Sequence, residues 1–156
     1  MFHYTVRRNG ARLIGCLEIA TGVGIAIFWV LFFTARLAPA NPPACYFQFE
    51  RAFPLPDGLL SASLVAAGSL LVNGKPSGRV LSLPVGGALM FLGAIDASFD
   101  SVNGLYSGDV FEALQNGAID AWCFGFGLVI VVIFSQSLVR ETATAAPEAN
   151  RRWPIN

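Results

Sequence analysis

Four long apolar stretches divide this chain of 156 residues, at 13–37, 58–72, 80–97 and 119–139. A helix that crosses a bilayer needs about 20 mostly apolar residues, because each residue advances only about 1.5 Å through a hydrocarbon core of about 30 Å. The first and last stretches meet that length, and the second and third meet it if their flanks join them. Such segments must be helical, since lipid offers no partner to an unpaired backbone group. The chain is predicted to be an all-α membrane protein: a four-transmembrane-helix bundle within residues 1–140, followed by a polar, disordered tail at 141–156. Charged residues make up 13% of the chain, against about 25% in soluble domains, which leaves no material for a separate soluble module.

The basic residues are distributed unevenly. Arg7, Arg8 and Arg12 precede the first stretch, Lys75 and Arg79 lie between the second and third, and Arg140, Arg151 and Arg152 follow the fourth. Only Arg36 and Arg51 fall in the other connections. The positive-inside rule then puts both termini and the 73–79 turn in the cytoplasm, with a bacterial inner (plasma) membrane as the expected location. The first stretch is expected to be retained: it exceeds the 7–15 residues of a signal h-region and carries Glu18, although Ala38-Pro39-Ala40 resembles a small-residue cleavage motif.

Connections between the stretches show local signals. The first outer loop, 38–56, is rich in proline and aromatic residues, and it reads as an interfacial cap with one or two helical turns at 46–53. Pro54-Leu55-Pro56-Asp57-Gly58 reads as a helix start with Asp57 at or near the cap. Asn73-Gly74-Lys75-Pro76 is a tight turn, and Asn103-Gly104 is another. Residues 109–115 suit a short amphipathic helix begun by Ser107 or Asp109. Gly15, Gly22, Gly24 and Ala26 in the first stretch, and Gly86, Gly87 and Gly93 in the third, offer surfaces for close helix contact.

Seven of the ten acidic residues gather on the side opposite the basic ones. Asp57, Asp96 and Asp120 stand at one depth on three different stretches, with Glu50 and Asp100 nearby. Capping accounts for Asp57 and Asp120 singly, but Asp96 lies at a helix C-terminus, where the dipole disfavours a negative charge. Asp96 and Asp100 are four apart and share a helix face. Together the five can hold a hard cation through oxygen ligands, as for calcium, or share protons between carboxyl groups. A resident metal is not identifiable, because the spacing matches no calcium-loop motif.

Glu18 lies deeper, about one and a half turns inside the edge set by Arg12. It either snorkels beside Arg12 or faces the bundle as a protonated group, hydrogen-bonded across helices to Gln136, Ser135 or a ligand. Cys45 and Cys123 share the outer side and form a candidate disulfide if their Cα atoms approach within about 7 Å; otherwise both are free thiols. Cys16 reads as an inert small hydrophobe. No CxxC occurs, which removes the main support for thiol–disulfide chemistry. His3 has no partner set. There is no phosphate loop and no haem or iron–sulfur spacing, and the arginines report topology rather than nucleic-acid binding.

Four spans, this length and inside termini are common to several small membrane families, and no motif aligns residue by residue with any of them. The expected function is a non-enzymatic one: a small bilayer-embedded protein that binds a ligand or partner, as an accessory subunit of a larger complex or as a homo-oligomer. A carrier or channel component using the outer carboxylates for a cation or proton is the alternative. An enzyme on a lipid substrate with carboxyl acid and base groups comes third.

Overall fold

In a computed structural model, residues 8–35, 37–39 and 41–152 are described, with side chains described as far as Arg140. His3, Arg7, Arg36, Ala40 and Trp153 lie outside the described residues, as do the side chains of Arg151 and Arg152. Five α-helices appear in order: α1 Arg8–Thr34, α2 Tyr46–Glu50, α3 Pro54–Val72, α4 Ser77–Asn103 and α5 Val110–Arg152. A 3₁₀ turn, Leu105–Ser107, joins the last two. Four of the helices are long and apolar enough to cross a membrane, at Arg8–Thr34, Pro54–Val72, Ser77–Asn103 and Val110–Arg140. No strand occurs among the described residues.

The helices run beyond the apolar stretches. α3 gains a first turn containing Pro54 and Pro56, where a missing N–H costs nothing. α4 continues through Asp96 and Asp100 to Asn103, and Gly104 stops it at φ 73°, a left-handed conformation in which its N–H bonds back to the Asp100 carbonyl. Gly74, at φ 70°, makes the tight turn between α3 and α4. The short helix expected at 109–115 is not separate. It is the first part of α5, capped by the Asp109 carboxylate, which accepts from Phe111 N at 2.9 Å and Glu112 N at 3.1 Å. Continuous backbone hydrogen bonding carries the helix through Asn116 and Gly117. At the other end α5 extends to Arg152, into the stretch expected to be disordered.

Packing is sequential: α1 lies on α3, α3 on α4, and α4 on α5, whereas among the described residues α1 and α5 are not closely packed. Lipid is as apolar as leucine, so membrane helices associate through close contact rather than through the hydrophobic effect. Glycine makes that contact here. A Cβ at Gly15 would stand 2.7 Å from the Gly68 carbonyl oxygen, and one at Gly22 would stand 2.7 Å from that of Ser61. Gly22 also accepts a 2.7 Å hydrogen bond from Ser61 Oγ. On the other side, a Cβ at Gly86 would meet Ile130 Cγ2 at 2.8 Å, and one at Gly93 would meet Phe124 N at 2.7 Å. Gly24 and Gly87, expected to be close-packing residues too, face open space, and Ala26 is exposed. Leu64, Leu89, Ile130 and Phe134 fill the centre and are fully buried.

Candidate functional site

Aromatic packing holds α2 across one end of the bundle. Trp29 and Phe32 near the end of α1 form a buried cluster with Tyr46 and Leu105. Phe49 of α2 stacks on Phe99 of α4, with ring centroids 3.8 Å apart and planes 6° from parallel. The proline-rich loop is thereby a roof over the bundle end.

Under this roof lies a cavity of about 620 Å³, and all five clustered acids line it: Glu50, Asp57, Asp96, Asp100 and Asp120. That volume falls within the roughly 300–1,000 Å³ of small-molecule sites. The remaining walls are mostly apolar, among them Ile25, Phe28, Phe49, Leu92, Ile119 and Trp122. No basic side chain is among the described lining residues. Asp96 is the hub, close enough to Asp120, Glu50, Asp57 and Asp100 to interact electrostatically with each.

The carboxyls divide by what they already hold. Asp57 is not a cap: α3 starts after Phe53, and the Asp57 carboxylate accepts from Trp29 Nε1 at 3.0 Å. Asp120 is not a cap either, because α5 begins ten residues earlier; it accepts from the Tyr106 hydroxyl instead. Glu50 is hydrogen-bonded with Tyr46. Asp96 and Asp100 accept no hydrogen bond among the described residues, although Asp100 is only 8% exposed. Two carboxyls, one turn apart on α4, thus face the cavity without a donor.

The five acids ring a space rather than meet at a point. Among the described residues no three His, Cys, Asp or Glu side chains are grouped so as to hold a metal ion.

Outside the spanning helices, burial pushes the Glu50 carboxyl up from 4.5 to about 7; the Tyr46 hydrogen bond opposes this, and the Asp100 and Asp57 charges add to it. Tyr46 itself is pushed up by burial and by Glu50, so its hydroxyl stays protonated at neutral pH. A raised carboxyl means that the folded protein favours the neutral acid. That contribution to stability is complete below about 4.5 and is lost as pH rises through about 7. The groups facing Glu50 are Tyr46 on α2, Asp57 on α3, and Asp96 and Asp100 on α4. Melting of the detergent-solubilised protein should therefore drop between about pH 5 and 8, with Glu50→Gln removing part of the slope. An unchanged slope in the variant would refute the assignment to Glu50.

The cysteines and Glu18 resolve between the alternatives that the sequence leaves open, while Gln136 does not take its expected place. Cys45 and Cys123 are both free. Cys45 is exposed, with its Sγ 3.5 Å from Asn103 Oδ1, while Cys123 is buried against Gly93 between α4 and α5. Glu18 faces the bundle interior and is fully buried, beside Gly68 and Ser82. Gln136, its expected partner, is exposed on α5. Ser82 Oγ donates to the Gly78 carbonyl at 2.8 Å; it stands close enough to Glu18 to interact with its carboxyl, but among the described residues neither Glu18 oxygen is in hydrogen-bonding geometry with a partner. Trp29, Tyr46 and Tyr106, which supply donors to the acids, carry no sequence signal of that role, since their partners are set by tertiary packing.

Compared with known proteins, the chain matches no family model, no curated protein and no solved structure.

Proposed function

We propose that this integral membrane protein is a non-enzymatic binding protein whose ligand is a small cation held in the acidic cavity. We place the cavity on the outer side of a plasma membrane, with both termini inside, because eight of ten basic residues lie at the opposite end. The observation that carries the reading is the pair Asp96 and Asp100: two carboxyls without donors, in a cavity whose described lining has no basic group. Carboxyls that face a cavity without a donor are open to a ligand that brings positive charge and N–H groups, and such charge-assisted hydrogen bonds are the strong ones.

Native mass spectrometry of the gently solubilised protein tests this. The wild type should carry a small-molecule adduct that is lost in Asp96→Asn/Asp100→Asn, a double variant that keeps the side-chain shapes. Identical spectra for the two, or a stoichiometric protein partner in place of the adduct, would overturn it, the latter in favour of an accessory subunit.

Glu18 favours a second reading, a carrier. A fully buried carboxyl without partners, further along the bundle from the cavity, can take up and release a proton as a ligand moves. Gradient-driven flux of a cation into liposomes containing only this protein would distinguish transport from binding.

A further inference from the structure

Among the described residues α1 and α5 are not closely packed, and the acidic cavity is lined by residues of both. Its lining includes Ala20, Thr21 and Gly24 from α1 and Ile119 and Trp122 from α5. Ile119 and Trp122 are 46% and 45% exposed, so they border the cavity and the lipid-facing surface at once. The two helices are joined there by one hydrogen bond, from Trp122 Nε1 to Thr21 Oγ1 at 3.1 Å. Gly24 has nothing within 4 Å of where a Cβ would stand. The roof of α2 covers the bundle end, whereas the half-exposed Ile119 and Trp122 form part of the cavity's side wall.

Resting on the binding reading above, we infer that the ligand is an amphiphilic amine that enters sideways from the lipid between α1 and α5. Its ammonium group sits between Asp96 and Asp100, and its apolar body lies along Ile25, Phe28 and Leu92 and between α1 and α5. The chemistry selects this class. Five carboxyls in a cavity whose described lining has no basic side chain favour a lone cation and repel a headgroup that brings a phosphate, which excludes phosphatidylethanolamine despite its ammonium. Apolar walls hold a hydrocarbon body in close contact, which a short hydrophilic amine cannot supply. A ligand already concentrated in lipid needs no opening through the roof.

The full chain in zwitterionic nanodiscs, probed with bromododecylammonium, tests the proposal, because bromine quenches nearby tryptophan emission and Trp122 borders the cavity. Saturable quenching is expected. Bromododecanol should bind at least about tenfold more weakly, which corresponds to about 1.4 kcal/mol for the charge. Propylammonium and phosphatidylethanolamine should fail to compete. Asp100→Asn should weaken binding about tenfold or more, and Gly24→Phe should abolish it without lowering the melting temperature, since that ring has open space to fill. Equal binding of the alcohol overturns the electrostatic selection. Competition by propylammonium at equal concentration overturns the amphiphile while leaving the cation site standing. Undiminished binding to Gly24→Phe overturns the route between α1 and α5. If no amine binds the wild type, the cation site falls along with the amphiphile.

Discussion

Gly68→Val is expected to separate α1 from α3 and to lower the melting temperature of the solubilised protein by more than any other single change in that contact. A Cβ at position 68 would overlap the Gly15 carbonyl and stand 2.8 Å from Ile19 Cγ1 and 3.1 Å from Glu18 Cβ. The first obstacle is backbone, which cannot rotate away, so the helices themselves must move apart. Overpacking of this kind costs about 1–3 kcal/mol, and more when no side chain can yield. Separation also removes the Ser61 hydrogen bond to the Gly22 carbonyl from its 2.7 Å geometry. Because lipid gives no hydrophobic penalty for parting, lost close contact is not offset elsewhere. Gly24→Val is the control, since that position faces open space. Equal melting of the two valine variants would show that the glycine contact does not hold α1 in place.

That contrast between Gly68 and Gly24 also marks what could be read from the sequence. Apolar length announced four helices, and Asn73-Gly74 and Asn103-Gly104 announced two of their ends, because lipid and backbone sterics act locally. The flanks were harder. Residues 54–57, 98–103 and 110–118 are helical although polar residues interrupt them, and what steadies the polar groups is tertiary: Trp29 on Asp57 and Tyr106 on Asp120. The common depth of Asp57, Asp96 and Asp120 was visible in the spacing of spans and loops. Their convergence required each to lie on the inward face of its helix, and neither 3.6-residue periodicity nor depth sets that face in a helix that is apolar all round. For the same reason Gln136, at a suitable depth for Glu18, turns outward instead.

Glu18→Met is expected to stabilise the protein and to disable it. The carboxyl is fully buried and both oxygens lack partners, while Ser82 beside it is committed to the Gly78 carbonyl. Leaving a polar group in that condition costs about 1–3 kcal/mol. Methionine is similar in length, flexible and apolar, so it fills the same space and removes the cost. The melting temperature should therefore rise. Glu18→Gln keeps the shape but retains an amide with two donors and an acceptor to satisfy, and it should melt at or below the wild type. Glu18→Ala empties the space between Gly68 and Ser82 and should melt lowest of the three. Groups that cost stability for the sake of chemistry concentrate at working sites. On the carrier reading, cation flux or proton release on ligand binding should vanish in Glu18→Met even as it becomes more stable. If Glu18→Met melts like the wild type, the carboxyl has found a partner in the membrane. If it melts higher yet keeps full flux, Glu18 has no part in the function and the carrier reading loses its support.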